Sequence, residues 1–537
     1  MAADCGAGLG SREDCVEFGW LPVHHLALLP EMGGDMSEAS PNDPPAGGGP
    51  ERVQTSDGAD LEHGLPMFSA GDPEALAREK AELAQLATKP ALARWRGYAR
   101  KTGPGWLQSA MTLGGGSAAA SLTAGALFGY KLLWVQPVAM ILGIIMLSAM
   151  SYQTLSTRAR PFGAMKKFVH PSVAWAWALA TLAVTVIWHF PQYALAAGMT
   201  EDMIKTATGW APALGTWSHT GFMLAIGVVV LVISTVITWN YGSGWRGIRL
   251  YERALKLMVW IIIASFAVVI VRAAVAGKRP WGELLSGFVP WPSTVPTDAA
   301  GVGTVLGLFG AAVGINMTFL YGYSLLARGW GKEHRGLARY DLITGMLIPF
   351  VLATSLMVVA AACTIHGTDA VQGRVSPVAA AKMIAEAGVG ETVGHFIFGL
   401  GILGMVLSSI TTHMIVAGFA ACEILKIEPK GWKYRMSCLI PAVGMLGVVL
   451  WQHMGFWVAV WTSAICGLML PIAYIAFFVM QNRRAYLGAD TPTGGRRWAW
   501  NIGMGLAILA TLAYLVYAAQ GKYYEGIQAF FGKLLGN

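Results

Sequence analysis

Charged residues are scarce in this sequence. Asp, Glu, Lys and Arg make up only 13% of its 537 residues, whereas 55% of the residues are hydrophobic. A typical soluble domain carries about 25% charged residues. The composition therefore excludes a water-soluble globule, and it predicts an all-α protein that lies in a lipid bilayer.

Patterns typical of enzymes are absent as well. The sequence has no nucleophile elbow, no phosphate-binding loop and no His-Glu-x-x-His motif in a suitable context. Neither an enzyme nor an ATP-driven pump is predicted, and no cofactor is expected. The six cysteines lack the spacing of a structural zinc site. The basic residues behind the formal net charge of +8 lie in short clusters between apolar segments, so nucleic acid is not an expected partner.

The apolar residues form eleven segments, whose length is close to the ~20 residues that a membrane-spanning helix requires. They lie near residues 104–126, 130–157, 172–199, 217–240, 254–276, 302–327, 340–365, 392–422, 437–452, 454–480 and 499–519. The connections on one side hold most of the Lys and Arg residues, for example those between 158 and 167 and between 328 and 339. Because basic loops stay inside, we expect a plasma (inner) membrane protein with a cytoplasmic N-terminus and an external C-terminus.

Composition also divides the chain. Residues 1–65 are rich in Gly, Pro, Asp and Ser, which predicts a disordered polar tail. Residues 66–102 have helical composition with charge pairs four positions apart, and they predict a cytoplasmic helix before the membrane. Residues 103–520 form the predicted transmembrane domain, and 521–537 a short external segment.

Two of the eleven segments carry glycines near their middle. The first contains Gly114, Gly115 and Gly116, and the sixth contains Gly314 shortly before Asn316. Each glycine costs a helix about 1 kcal/mol relative to alanine, so both helices are predicted to be broken. Many transporters consist of two inverted five-helix repeats with broken first helices around the substrate site. The alternative interpretation is that these glycines only allow close helix packing.

Longer stretches of the sequence resemble a known family. Gly103-Pro-Gly-Trp-Leu and Ala124-Gly-Ala-Leu-Phe-Gly-Tyr-Lys-Leu-Leu-Trp-Val resemble the first-helix signature of the Nramp family of divalent-metal transporters. Gly399-Leu-Gly-Ile-Leu-Gly-Met-Val-Leu-Ser-Ser-Ile-Thr resembles that family's eighth segment. The resemblance runs from Gly103 to the eleventh segment. It implies the LeuT-type 5+5 inverted repeat, with broken helices 1 and 6, and proton-coupled uptake of manganese or iron.

The sequence departs from that family at the expected metal site. The family's Asp-Pro-Gly-Asn aligns with the residues from Gly114 to Ser117, and its Met-Pro-His aligns with Gly314, Ile315 and Asn316. Two acidic residues of the family's third segment are replaced near His189 and Gln192. The resemblance and the remaining polar groups together predict a substrate site formed by Gly114, Gly115, Gly116, Ser117, Gln192, Gly314, Asn316 and Thr318, with His189 as the candidate for proton coupling.

These replacements leave the transported substrate open. Without the family's carboxylate and thioether at the aligned positions, we expect a roomier, neutral site that suits a hydrated cation such as magnesium better than bare manganese or iron. A carrier of the same fold for a small organic solute such as an amino acid is the first alternative. A sensor that no longer transports is the second. The metal ligands themselves are not specified by the sequence.

Overall fold

The computed structural model describes residues 65, 73–241, 245–277, 281–296, 299–367, 375–449 and 457–519. Nearly all of the predicted tail, residues 1–65, and all of the predicted external segment, 521–537, lie outside this range. Within it, every element of regular structure is a helix.

The first half of the chain forms two short helices, a broken helix and then five further membrane-length or connecting helices. The short ones are α1 (Pro73–Ala87) and α2 (Ala91–Ala99), followed by α3 (Pro104–Thr112), α4 (Gly115–Phe128), α5 (Val135–Thr157), α6 (Pro161–Phe168), α7 (Pro171–Thr208), α8 (Trp217–Tyr241) and α9 (Trp245–Val275). The predicted helix before the membrane is therefore a pair of helices, because Pro90 provides no N–H for a continuous helix.

The second half repeats this order. A short helix, α10 (Trp281–Ser286), precedes a second broken helix, α11 (Ala299–Ala312) and α12 (Ile315–Ala327). There follow α13 (Arg335–Leu342), α14 (Ile348–Thr364), α15 (Pro377–Ile384), α16 (Phe398–Leu425), α17 (Gly431–Ser437), α18 (Trp457–Gln481), α19 (Arg484–Leu487) and α20 (Gly494–Ala519). The two breaks lie where the glycines predicted them.

Eight stretches among the described residues are long and apolar enough to cross a membrane. The broken pair α3 and α4 and the apolar part of α18, Cys466–Gln481, bring the number to ten of the eleven predicted segments (eight plus two). The remaining segment, 437–452, contains a 3-10 helix, Ile440–Leu446, and its last residues are outside the described range. The all-α membrane architecture is confirmed.

Aromatic side chains hold α12 against the helices around it. The ring of Trp177 on α7 lies 4.5 Å from that of Phe319, which stacks on Tyr323 at 4.6 Å. Tyr323 in turn stacks on Phe419 of α16 at 5.5 Å. All four side chains are almost fully buried. This column fixes the start of α12, and with it the position of the second break.

The N-terminal end of α3 is held by buried polar groups. The Asp341 carboxylate on α13 accepts hydrogen bonds from the backbone N–H groups of Gly103 (3.1 Å) and Gly105 (2.7 Å). Lys256 of α9 donates to the carbonyl oxygen of Thr102 at 2.6 Å. An anion at this position also interacts favourably with the positive end of the helix dipole. The half-helix α3 is thereby fixed against α9 and α13.

Candidate functional site

The two helix breaks meet at one cavity. Its volume is about 30 Å³, and it lies between α3, α4, α7, α11, α12 and α16. The lining residues are Met111, Thr112, Gly114, Gly116, Ser117, Trp188, Gln192, Gly310, Ala311, Gly314, Asn316, Met317, Ser409 and His413. Backbone that leaves helical geometry at membrane depth is tolerated where it lines a cavity or is buried in protein, and both conditions are met here.

Hydroxyl groups replace the hydrogen bonds that the first break removes. The last carbonyl groups of α3 would be unsatisfied because the helix does not continue. Ser409 of α16 donates to the carbonyl oxygen of Met111 at 3.1 Å, and Ser117 donates to that of Thr112 at 2.7 Å. Since a carbonyl oxygen has two lone pairs, each can accept one such bond and still coordinate a cation.

A hydroxyl group at the first break donates to the last carbonyl groups of the helix before the second break. The Thr112 hydroxyl lies 2.7 Å from the carbonyl oxygen of Ala312 and 3.1 Å from that of Ala311, at the C-terminal end of α11. The C-terminal ends of α3 and α11 therefore meet at the cavity. Each of these ends carries a partial negative charge from the helix dipole, which favours a cation between them.

Gly114 is required both by the break and by packing. An added Cβ at this position would lie 2.7 Å from the hydroxyl oxygen of Ser409 and 2.8 Å from the amide nitrogen of Gln192. Gln192, which is buried on α7, accepts a hydrogen bond from the N–H of Gly115 at 3.0 Å. The two interpretations of this glycine run, a broken helix and a close contact, are thus both correct at one residue.

The cavity contains thioethers that the sequence alignment did not indicate. Met111 and Met317 both line it, and the Met317 sulfur lies 3.3 Å from the backbone nitrogen of Gly314. Aligning the family's Met-Pro-His without a gap on Gly314, Ile315 and Asn316 hid the methionine at the next position. Trp188 and Ser409 were also missed, although Ser409 is part of the eighth-segment motif.

No Asp or Glu side chain lines the cavity within the described part of the chain, and His413 is the ionisable side chain there. Its Nδ1 donates to the carbonyl oxygen of Ser409 at 2.6 Å. A carbonyl oxygen only accepts, so Nδ1 carries a proton, and in the neutral ring the lone pair is on Nε2. With a neutral imidazole the described lining carries no formal charge.

His189 is buried next to the cavity without lining it. Its ring lies 5.6 Å from the ring of His413, and its Nδ1 bonds to the carbonyl oxygen of Thr185 at 2.8 Å. Among the described residues its Nε2 has no hydrogen-bond partner. An unpaired polar atom in a buried position is costly, so the Nε2 of His189 is an unsatisfied buried nitrogen next to the cavity.

The nine predicted site residues divide into those that line the cavity and those that do not. Six of the nine line the cavity: Gly114, Gly116, Ser117, Gln192, Gly314 and Asn316. Thr318 does not, because its hydroxyl accepts a hydrogen bond from the indole nitrogen of Trp177 at 2.9 Å. Gly115 and His189 are adjacent to the cavity rather than part of its lining.

Known proteins are similar to this chain over most of its length. Residues 105–518 match the model of the family described as natural resistance-associated macrophage protein-like, Nramp. Relatives include the divalent metal cation transporter MntH of Brucella suis, 23% identical over 72% of this chain and 81% of the relative. The protein of the same name from Agrobacterium fabrum is 22% identical, over 78% of this chain and 88% of the relative.

Solved structures share the architecture. A mutant of the manganese transporter of Eremococcus coleocola superposes with a TM-score of 0.66 at 15% identity, over 83% of this chain and 90% of the other. Mhp1, a nucleobase-cation-symport-1 family transporter in a closed conformation, superposes with a TM-score of 0.50 at 13% identity, over 77% of this chain and 89% of the other. These likenesses show the LeuT-type fold with broken helices 1 and 6.

Proposed function

The chain belongs to the Nramp family, and we propose that it is a secondary active transporter that moves a divalent metal cation across the membrane through the cavity at the two breaks. Its curated relatives carry the name of divalent metal cation transporters. The observation that supports this most is the chemistry of the lining, in which the thioethers of Met111 and Met317 lie with the imidazole of His413. Such donors favour transition metals over hard cations.

The cavity volume limits the substrate. One buried water requires roughly 10–15 Å³, so a cavity of about 30 Å³ accommodates a cation with one or two waters. A fully hydrated cation and an amino acid are both too large for this conformation. The volume therefore favours a dehydrated or partly hydrated metal over an organic solute. We take manganese or iron as the first candidates.

Magnesium is the second candidate because of the oxygen ligands. Ser117, Gln192 and Asn316, whose side chains carry hydroxyl or amide oxygens, line the cavity, and oxygen is the donor that magnesium prefers. With no carboxylate among the described lining residues, the dication is offset only by carbonyl groups and by the helix ends. We therefore expect weak binding of any dication, which suits a carrier that must release it.

We also propose that transport of the metal is coupled to protons. The ring of His189, whose Nε2 has no partner among the described residues, lies 5.6 Å from the ring of the cavity-lining His413. A proton could leave or reach the cavity through these two rings. An ionisable residue at membrane depth is a functional candidate by default. We propose that His189 takes up the proton and that His413 connects it to the metal.

The orientation in the membrane is proposed from the distribution of basic residues along the sequence. Basic clusters on one side of the spans support a cytoplasmic N-terminus and an external C-terminus in the plasma membrane. Residues 66–102 would then be cytoplasmic, residues 103–520 would form the transporter, and 1–65 and 521–537 would flank it. No enzymatic activity is proposed.

The test is uptake by proteoliposomes that contain the purified chain. Manganese and magnesium uptake would be measured with and without a pH gradient, for the native chain and for the Met111→Leu/Met317→Leu variant. Leucine keeps the volume of methionine and removes the sulfur, so manganese uptake should fall about tenfold or more relative to magnesium. Met436→Leu is the control, because that side chain is 43% exposed on α17.

Three outcomes would count against the proposal. Equal loss of both cations in the double variant would mean that the sulfurs serve packing rather than selectivity. Binding of neither cation by calorimetry, with the native chain intact, would favour the sensor. Uptake of an amino acid instead of a metal would support the organic-solute carrier.

A further inference from the structure

The helix pair before the membrane carries a concentration of basic residues. Between residues 89 and 101 the chain has five basic side chains and no acidic one: Lys89, Arg94, Arg96, Arg100 and Lys101. This stretch includes α2 and ends three residues before α3, the first half-helix of the membrane domain. Juxtamembrane clusters of four to eight Lys and Arg are typical of segments that bind anionic lipids.

Some of these side chains line a groove. A cavity of about 530 Å³ lies between α1, α2 and the beginning of α9. Five basic and two acidic side chains line it: Arg78, Lys89, Arg100, Lys101 and Arg249, with Glu79 and Glu82. Because the basic side chains outnumber the acidic ones by three, the groove keeps an excess of positive charge even with every carboxylate paired.

The ion pairs within the groove leave two of its basic side chains exposed. Lys101 bonds to Glu82 at 2.5 Å, and Arg249 lies 3.7 Å from Glu79. Both acidic side chains of the groove, which lie on α1, are therefore ion-paired. Lys89 and Arg100, at the two ends of α2, are exposed. Positive charge that is concentrated in a concave surface attracts an anion more strongly than the same charge spread over a convex one.

Two apolar side chains of α2 are exposed outside the lining of the groove. Leu92 is 68% exposed and Trp95 is 47% exposed, and the two are one helical turn apart. The Trp95 ring also meets the ring of Tyr340 edge-on at 5.4 Å, which fixes α2 against α13. A helix with a basic side and exposed Trp and Leu on the other is the type that lies in the membrane interface.

We propose that the α1–α2 groove binds the phosphate headgroup of an anionic phospholipid from the cytoplasmic leaflet, with Leu92 and Trp95 inserted beside its acyl chains. The proposal rests on the orientation given under Proposed function. The groove is coupled to the transporter, because the carbonyl oxygen of Lys101 accepts a hydrogen bond from Arg328 at 3.2 Å. A bound headgroup would therefore hold the chain directly before α3.

The experiment measures binding of a fluorescent phosphatidylglycerol to the full-length chain in detergent, by anisotropy. Lys89→Gln/Arg100→Gln is the test variant. Each basic side chain near an anionic lipid contributes about 1 kcal/mol, so the affinity should fall roughly thirtyfold. Lys166→Gln/Arg484→Gln is the matched control, since it removes two exposed basic side chains outside the groove.

A second arm identifies the source of the phosphate. Unlabelled phosphatidylglycerol should compete, whereas phosphatidylcholine and inorganic phosphate should not. Leu92→Gln should weaken lipid binding without unfolding, because the side chain is already exposed. Competition by inorganic phosphate together with no effect of Leu92→Gln would overturn the lipid in favour of a soluble anion. Equal losses in the groove and control variants would overturn the groove itself. Binding is measured without transport, so a failed uptake assay would not affect this result.

Discussion

Replacing Asp341 by asparagine should release α3 without unfolding the rest of the protein. The buried carboxylate accepts two backbone hydrogen bonds, from Gly103 at 3.1 Å and Gly105 at 2.7 Å. Hydrogen bonds to a charged group are roughly twice as strong as neutral ones. The amide also turns an –NH2 group towards these donors, so we expect a loss of about 2–3 kcal/mol at this end of α3.

Hydrogen exchange followed by mass spectrometry would measure this loss. Amides of α3 exchange through local opening, whose free energy can lie well below that of global unfolding. A change of about 2–3 kcal/mol corresponds to exchange that is roughly 30- to 150-fold faster in peptides covering 104–112. Peptides from α14 should be unchanged. Arg339→Gln is the control, because it removes an exposed charge from the same helix as Asp341.

Two results would refute the reasoning. If α3 keeps its protection in Asp341→Asn, then the carboxylate does not hold this half-helix. If exchange accelerates by the same factor in α14 as in α3, then Asp341 stabilises the whole fold rather than one movable part. In the first case α3 would have to be held by other contacts near its N-terminal end, such as the bond from Lys256 to Thr102.

Three further predictions concern the cavity. Gly114→Ala should lower metal uptake roughly tenfold or more, because overpacking costs about 1–3 kcal/mol and the new Cβ would lie 2.7 Å from the hydroxyl of Ser409; Gly307→Ala, with no atom within 4 Å of its Cβ, should leave uptake unchanged in the same assay. His189→Ala should abolish any pH dependence of uptake, and a pH profile identical to that of the native chain would remove this histidine from the mechanism. Thr318→Val should leave metal affinity unchanged in calorimetry, since its hydroxyl is bonded away from the cavity; a marked loss would show that the residue reaches the metal.

The broken helices were predictable because glycine acts locally. Gly114 and Gly314 lower helix propensity wherever they stand, and the structure ends α3 and α11 within two residues of each of them. The apolar segments were predictable for a similar reason, since the bilayer sets their length. The correspondence between the breaks in the first and the sixth segments was predictable as well, because it depends on the order of the segments rather than on their contacts.

The cavity lining was harder to predict because it depends on rotation about a helix axis. Thr318 follows Asn316 by two positions, so it points about 200° away around α12 and bonds to Trp177 instead. Met317 was hidden by an alignment that stopped one residue earlier. Ser409 and His413 come from a segment whose approach to the breaks is not encoded near them in the sequence.

The sequence by itself determined that this chain is a membrane protein, where most of its spans lie to within several residues, and which two of them are broken. These properties depend on composition and local propensity, which act on each segment separately. Only the tertiary structure decided that two thioethers and an imidazole line the cavity, that its volume is about 30 Å³, and that Asp341 holds α3. Those features depend on which faces of distant helices meet, and that is decided when the helices pack together.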